Sequence, residues 1–188
     1  MCVRNSKDRN LIPFPKKKYK IIYADPPYYF KSYSKKGESR SASNHYDCMQ
    51  INDIYNLPVS SISDDDCCLF LWVTTPFLEQ GFEIIKRWKF QFKTIAFTWV
   101  KTNKKTGYFT GMGYWTRANP EICLLATKGH PKRISKKVKE LIISPRQEHS
   151  KKPDCARDRI VELMGDLPRI ELFARNRYKG WESYGNEI

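Results

Sequence analysis

The sequence has no apolar run approaching the roughly eighteen residues of a membrane span. Its first residues, with Arg4, Lys7, Asp8 and Arg9, lack the apolar stretch of a signal peptide. A soluble, cytoplasmic protein is therefore expected. Histidine is scarce, at three residues (His45, His130, His149), and the six cysteines (Cys2, Cys48, Cys67, Cys68, Cys123, Cys155) show neither paired metal-ligand spacing nor a dense disulfide framework. No metal is expected, and Cys67, Cys68 and Cys123, which sit inside apolar runs, read as buried free thiols. Internal repeats and low-complexity tracts are missing. With 188 residues and 40% hydrophobic content, the chain is long enough for one sizeable core, and nothing in it forces a division. Residues 1–188 are expected to form a single domain, with 1–18 as an irregular arm on which Leu11, Ile12 and Phe14 dock.

Acid is also in short supply. Against 20 Asp and Glu stand 34 Lys and Arg, a formal charge of +14. The cations cluster: Lys16 to Lys18, Lys35 and Lys36, Lys101 with Lys104 and Lys105, the stretch Lys128 to Lys139, and Arg175, Arg177 and Lys179. Aromatics such as Tyr19, Tyr33, Tyr108, Phe109, Tyr114 and Trp115 are interleaved with them. Such a surface suits a polyanion that also offers flat bases for stacking, which points to nucleic acid as the partner.

Strands are expected at Tyr19–Ala24, Cys67–Val73, Phe92–Val100, Glu121–Thr127, Glu140–Ser144 and Arg169–Ala174. Cys67–Val73 is a continuous apolar run of the kind buried on both faces of a sheet. Helices are expected at Ile51–Leu57, closed by Pro58; at Pro76–Trp88, with Thr75 as N-cap and Leu78, Phe82 and Ile85 on one stripe; and at Asp154–Met164, with Ala156, Ile160 and Met164 on another. Asp64-Asp65-Asp66 reads as a turn, and residues 29–48 as a long loop. Alternating strands and helices argue for an α/β fold with a mostly parallel sheet covered on both faces.

The stretch that stands out is Asp25-Pro26-Pro27-Tyr28, directly after the apolar run Ile21-Ile22-Tyr23-Ala24. Two prolines fix the backbone and donate no hydrogen bonds, so the strand must end there in a stiff turn. An acid and an aromatic are thereby held at a carboxyl strand end, where ligands bind in open α/β sheets. A string of this kind arises by chance in a chain of this length in roughly two cases per thousand. The chemistry that needs it is methyl transfer to an amino group on a base. The amino lone pair is delocalised into the ring and must be localised and aimed. A carboxylate (Asp25) and a backbone carbonyl (Pro26) accepting its two hydrogens would do so, and an aromatic (Tyr28) can stack on the extruded base. Asp25 then acts through hydrogen bonding and electrostatics and need not be a general base.

Several stretches resemble one family in their order along the chain: Ile22 to Tyr28, Leu69 to Thr74, Trp99 to Asn103, Glu121 to Leu124, His149 to Asp154, Arg169 to Arg175, and Trp181 to Glu187. This is the adenine-N6 methyltransferase family (methyltransferase-A-seventy) that includes the catalytic subunit of the eukaryotic messenger-RNA adenosine methyltransferase together with bacterial and phage relatives acting on DNA. The resemblance covers about residues 19 to 187. It implies a Rossmann-like class I methyltransferase fold with a circularly permuted, beta-class motif order, the catalytic strand preceding the strand that holds the donor. It implies S-adenosylmethionine as cofactor, with Asp25, Pro26 and Pro27 beside both donor and target base. Lys152 would pair with the donor's carboxylate, Leu172 and Phe173 would line its site, and Arg175 and Asn186 would contact its ribose. Tyr46 would lie near the target adenine.

Some positions depart from the family. Tyr28 stands where many relatives have Trp, Glu187 where a neutral amide is common, and Arg177 where a histidine sits. No glycine-rich loop follows Phe173, which this family also lacks. Target recognition is expected from loops 29–48, 101–119 and 128–139, with Lys101, Lys104 and Lys105 tracking phosphates. DNA is favoured over RNA because the chain is compact. An RNA adenosine methyltransferase, a catalytically silent nucleic-acid-binding subunit and a cytosine-N4 methyltransferase are the alternatives; the intact Asp25 argues against the second and its acid against the third. Whether one chain suffices or a homodimer or second subunit is needed stays open.

Overall fold

The structure, a computed structural model, describes residues 13–29, 48–113, 115–147, 151–185 and 188. Seven strands form one sheet: β1 (Tyr19–Ala24), β2 (Ser63–Val73), β3 (Gln91–Thr102), β4 (Glu121–Lys128), β5 (Leu141–Pro145), β6 (Arg169–Leu172) and β7 (Glu182–Tyr184), in the spatial order β5-β3-β4-β2-β1-β6-β7. β1 pairs in parallel with β2 and β6, β6 with β7, and β3 with β5, while β4 runs antiparallel to both its neighbours. The sheet is thus mixed, with β4 alone reversed. The helices are α1 (Ile51–Tyr55), α2 (Val59–Ile62), α3 (Leu78–Arg87) and α4 (Cys155–Met164), with a 3₁₀ turn at Thr75–Phe77.

Both faces of the sheet are covered, and the central strands sort their side chains accordingly. Ile22, Ala24, Cys67, Leu69, Leu71 and Val73 pack with Ile54, Val59, Ile62, Ile84 and Ile85 of α1, α2 and α3. The alternate residues Ile21, Tyr23, Cys68, Phe70 and Trp72 pack with Ala156, Ile160 and Met164 of α4. A period of two read against two apolar layers is why β1 and β2 appear in the sequence as unbroken apolar runs. α3 lies so close to the sheet that a Cβ on Gly81 would come within 2.6 Å of Val73 Cγ1. Glycine is what permits the approach.

The elements differ from the expectations in a few places. Asp64, Asp65 and Asp66 do not turn: they belong to β2, whose pairing with β1 is irregular at that end. Thr75 does not cap a helix, since the chain enters α3 through the 3₁₀ turn, whose N-cap Thr74 makes no side-chain cap bond. Phe82 is 42% exposed and meets Phe92 edge-on, so Gly81, Ile84 and Ile85 form the buried stripe of α3. α2 and β7 were unforeseen. Phe14 docks as expected, edge-on to Tyr184 at 5.0 Å, whereas Leu11 and Ile12 lie outside the described residues. Cys67, Cys68 and Cys123 are buried free thiols. Among the described residues no helix is long and apolar enough to cross a membrane.

Candidate active site

Because β4 alone is reversed, the carboxyl ends of the other strands and the start of β4 share one pole of the sheet. Asp25 follows β1, Phe173 follows β6, and Glu121 opens β4. β2 lies on one side of β1 and β6 on the other, so the crevice beyond β1 and β6 is where the strand order changes direction, the usual ligand position in such sheets.

The Asp25-Pro26-Pro27-Tyr28 turn is braced by its own backbone. Tyr28 N–H donates to the Pro26 carbonyl at 2.9 Å, Met49 N–H to the Pro27 carbonyl at 2.9 Å, and Tyr29 N–H to the Met49 carbonyl at 3.3 Å. The Pro26 carbonyl therefore already serves one donor and retains a second lone pair for another. Tyr28 is only 9% exposed: its ring stacks on Phe77 at 4.7 Å and its hydroxyl donates to the Trp72 carbonyl at 3.1 Å. One face of that ring is occupied by the protein itself.

A line of alternating charges runs from Asp25 across the pole. Lys152 Nζ, 8% exposed, donates to Asp25 Oδ2 at 2.7 Å. Glu121 Oε2 lies 3.1 Å from the same ammonium, an ion-pair distance without a well-aligned hydrogen bond. Glu121 Oε1 accepts from Lys101 Nζ at 2.5 Å. Lys152 sits just before α4, and its ammonium also stands 5.7 Å from the Trp72 ring. Burial raises the Asp25 pKa, opposed by the charge of Lys152 and, further off, Arg175. Burial would likewise raise Glu121, but Lys152 and Lys101 together win and hold it down at about 2. Burial would lower Lys152, and its two carboxylates raise it instead. Lys152 is thus a locked cation whose charge opposes the effect of burial at both acids and outweighs it at Glu121.

Leu172 is buried in the core, and Phe173 after it adopts φ 61°, a left-handed conformation that a residue other than glycine rarely takes. Strain of this kind, on the order of 1–3 kcal/mol, concentrates where a site demands it. Beside Glu121 opens a cavity of about 490 Å³, a volume suited to a small ligand, lined among others by Trp99, Lys101, Lys104, Phe109 and Arg146. The Arg146 guanidinium lies 3.7 Å from the centre of the Phe109 ring.

The structure brings together Asp25, Lys152 and Lys101, with Arg175 close enough to act on Asp25. Lys101, expected on phosphates, is instead half-sunk and tied to Glu121, because its backbone is clasped on both sides by Asn119 at 2.9 Å. Lys104 borders the cavity and Lys105 is exposed beyond it. Loop 128–139 begins where β4 ends, at the opposite pole, and is not part of this site. Tyr46, His149, Asn186 and Glu187, with most of loop 29–48, lie outside the described residues.

Sequence reading overlooked three things: Glu121, whose signal was a lone acid at the head of a buried strand; the Phe109–Arg146 stack; and a buried ion pair below the site. In that pair Arg157 of α4 donates from Nε and Nη2 to the two carboxylate oxygens of Glu171 on β6, both at 2.7 Å. Glu171 is the register partner of Tyr23 on β1. Among the described residues no group of three His, Cys, Asp or Glu stands ready to hold a metal.

A bacterial Type II methyltransferase M.MunI, from a Mycoplasma species, is 35% identical over 98% of this chain and 84% of its own length. The N(6)-adenosine-methyltransferase MT-A70-like of Arabidopsis thaliana is 30% identical over 89% of this chain, and the human N(6)-adenosine-methyltransferase catalytic subunit METTL3 28% over 91%. Of these two longer proteins the chain spans only 23% and 28%. The family model described as MT-A70 matches residues 19–187, almost the whole chain, and this protein belongs to that family.

Proposed function

We propose that the chain transfers a methyl group from S-adenosylmethionine to the exocyclic N6 amino group of adenine in nucleic acid, DNA ahead of RNA. The observation that carries this reading is the buried Asp25–Lys152–Glu121 line at the β1/β6 crevice. The full-length likeness to a Type II methyltransferase supports DNA, and the partial likeness to N(6)-adenosine methyltransferases supports adenine N6 as the acceptor. The adjacency of β1 and β6, with β1 first in the chain, supports the Rossmann-like, permuted motif order, and the extent of the family match supports one methyltransferase domain.

The residues fit the donor. Its amino-acid end is a zwitterion, and Lys152 and Asp25 offer both complementary charges, while Glu121 Oε2 retains unmet acceptor capacity. Lys152 and Asp25 would hold that end, and Phe173 and Arg175 the nucleoside end. When bound, S-adenosylmethionine supplies an electrophilic methyl on a sulfonium. The rest is done by the chain. Asp25, hydrogen-bonded to Lys152, accepts one amino hydrogen of the base, and the free lone pair of the Pro26 carbonyl accepts the other. Both stabilise the positive charge that develops on nitrogen. The braced double-proline turn holds the two acceptors in fixed relation, so little reorganisation is needed. The base would pass by the cavity beside Glu121, where Arg146 lies flat on Phe109, to reach Asp25, which does not itself line that cavity. Tyr28, stacked on Phe77 and hydrogen-bonded to the Trp72 carbonyl, would brace the turn that carries Asp25.

The test is incubation of unmethylated genomic DNA and of total RNA with labelled donor, followed by nucleoside mass spectrometry. N6-methylated adenine in DNA, absent with Asp25→Ala, is expected. Cytosine-N4 product would overturn the acceptor assignment. Donor binding by calorimetry with no product on either polymer would make the chain a silent subunit.

A further inference from the structure

We infer that the segment from Gly129 to Lys139, remote from the active site, is a second nucleic-acid contact, a rigid strap that docks the phosphate backbone of the DNA whose adenine is modified; the inference rests on the function proposed above. β4 carries the chain from Glu121 at the catalytic pole to Lys128 at the other, a span of roughly 24 Å. Between Gly129 and Lys139 the strap bears five cations, Lys132, Arg133, Lys136, Lys137 and Lys139, and no acid. All five are exposed, and among the described residues none forms an ion pair.

The strap has no regular secondary structure, yet it is fastened to the fold. Ile134 N–H donates to the Leu163 carbonyl at 2.8 Å, and Arg159 Nη1 donates to the carbonyls of Lys139 and Leu141 at 2.7 and 2.9 Å. Val138 packs on the α4 side of the core. Cations fixed in this way repel one another in the free protein and lose little backbone entropy on meeting a polyanion. Two acids border the strap, and neither pairs with its cations: Glu140 toward β5 accepts from Thr98 Oγ1 at 2.8 Å, and Asp66 of β2 accepts from the His130 backbone N–H at 2.7 Å.

What selects DNA as the occupant is continuity with the active site. β5, an edge strand, starts at the strap and ends at Pro145, next to Arg146 on the cavity wall. Its five residues span roughly 14 Å, about four base steps at 3.4 Å each. A duplex entering the cavity with its target base and running along this edge meets the strap several base pairs away, on one side of the target only. The contact is to phosphates, so it adds affinity without reading sequence.

The quadruple variant Lys132→Gln, Arg133→Gln, Lys136→Gln, Lys137→Gln tests this by fluorescence anisotropy on a duplex of about 30 base pairs and on one of about 8 with its target base in the middle, whose roughly 12 Å on either side at 3.4 Å per step stops short of the strap. On the long duplex the slope of log K against log salt should fall by about 3 to 4, near 0.9 for each phosphate no longer neutralised. On the short duplex affinity and kcat for methyl incorporation should be unchanged. Long duplexes extended on only one side of the target should reveal which side the strap uses. Equal slopes for variant and wild type, an equal affinity loss on both lengths, or loss of kcat on the short duplex would each overturn the inference. So would a variant that binds the long duplex normally but no longer binds vesicles of phosphatidylcholine with phosphatidylserine. The slope is read without turnover, so absence of methylation in the wild type would count against the proposed activity and leave the strap result standing.

Discussion

Both poles of the sheet are rich in lysine and arginine, but they treat those charges in opposite ways. At the catalytic pole Lys152 and Lys101 are sunk into the protein and paired with Asp25 and Glu121. At the other pole Lys132, Arg133, Lys136, Lys137 and Lys139 stand in water and form no ion pair among the described residues. Buried charges must be compensated, because removing one partner strands the other in a medium that solvates it poorly. Exposed charges need no partner and contribute little to stability, which leaves them free to meet a ligand. On the function and the strap contact proposed above, cations at the first pole would organise chemistry, and cations at the second would meet a polyanion. The sequence shows both as basic clusters; the reversal of β4 decides which is which.

The comparison breaks most sharply at Asp25. Asp25→Ala should cut methyl incorporation by about 10²- to 10³-fold, the range for a preorganised group that meets charge developing in the transition state. The strap variant should leave turnover of a short substrate untouched. Single-turnover rates with saturating donor would show it, and a drop under tenfold would remove Asp25 from the chemistry.

Stability separates the poles next. Arg157→Ala strands Glu171, whose pKa burial already raises even against the pull of Arg157, and should cost about 3–5 kcal/mol. Lys136→Ala at the strap should stay within about 0.5 kcal/mol. Urea unfolding of the two variants reports both values. Because the Arg157–Glu171 pair ties α4 to β6 and thereby sets where Lys152 sits, a milder replacement that leaves the fold intact, Arg157→Lys, should still weaken donor binding by calorimetry.

Acid offers a third contrast. Glu121 is held at about 2, below its ordinary 4.5, because Lys152 and Lys101 outweigh a burial that acts in the other direction. A depressed carboxyl stabilises the fold fully above its unfolded pKa and loses that contribution as pH falls through the folded one. Between pH 4.5 and about 2 roughly 3 kcal/mol should therefore disappear. Asp25 is raised, so its contribution runs the other way just above its ordinary 3.8. Glu121→Gln isolates the first effect: its deficit against wild type in chemical unfolding should be largest near neutrality and shrink toward about pH 2. A deficit that does not change with pH would mean that Glu121 acts by packing alone.

Much of this was legible in the chain. β1 and β2 announce themselves because both faces of each are covered, and Asp25-Pro26-Pro27-Tyr28 because two adjacent prolines can only end a strand. What could not be read was the partnership of distant residues. Lys152 looks like one lysine of a basic run until α4 presents it to Asp25. Glu121 looks like the polar start of a strand until that strand turns out to be reversed and delivers it to the same pole. Asp64 to Asp66 were misread because three acids suggest a turn, yet β2 extends through them. Tyr28 carries the motif's aromatic, and the chain alone did not show that one face of its ring lies on Phe77 and that its hydroxyl donates to the Trp72 carbonyl.

The smallest expected effect tests where one pole ends and the other begins. Arg146 lies at the end of β5, exposed, its guanidinium flat on Phe109 and its backbone N–H bonded to the Thr102 carbonyl at 3.3 Å. It shares exposure with the strap and position with the active site. If it receives the target nucleotide, Arg146→Ala should raise KM for DNA by about five- to tenfold, near 1 kcal/mol, at constant kcat. Arg146→Lys should restore the charge without the planar stack, so that the salt slope recovers while KM recovers only in part. Should Arg146→Lys restore both, Arg146 is one more phosphate contact, and the strap's territory extends along β5 to the edge of the cavity.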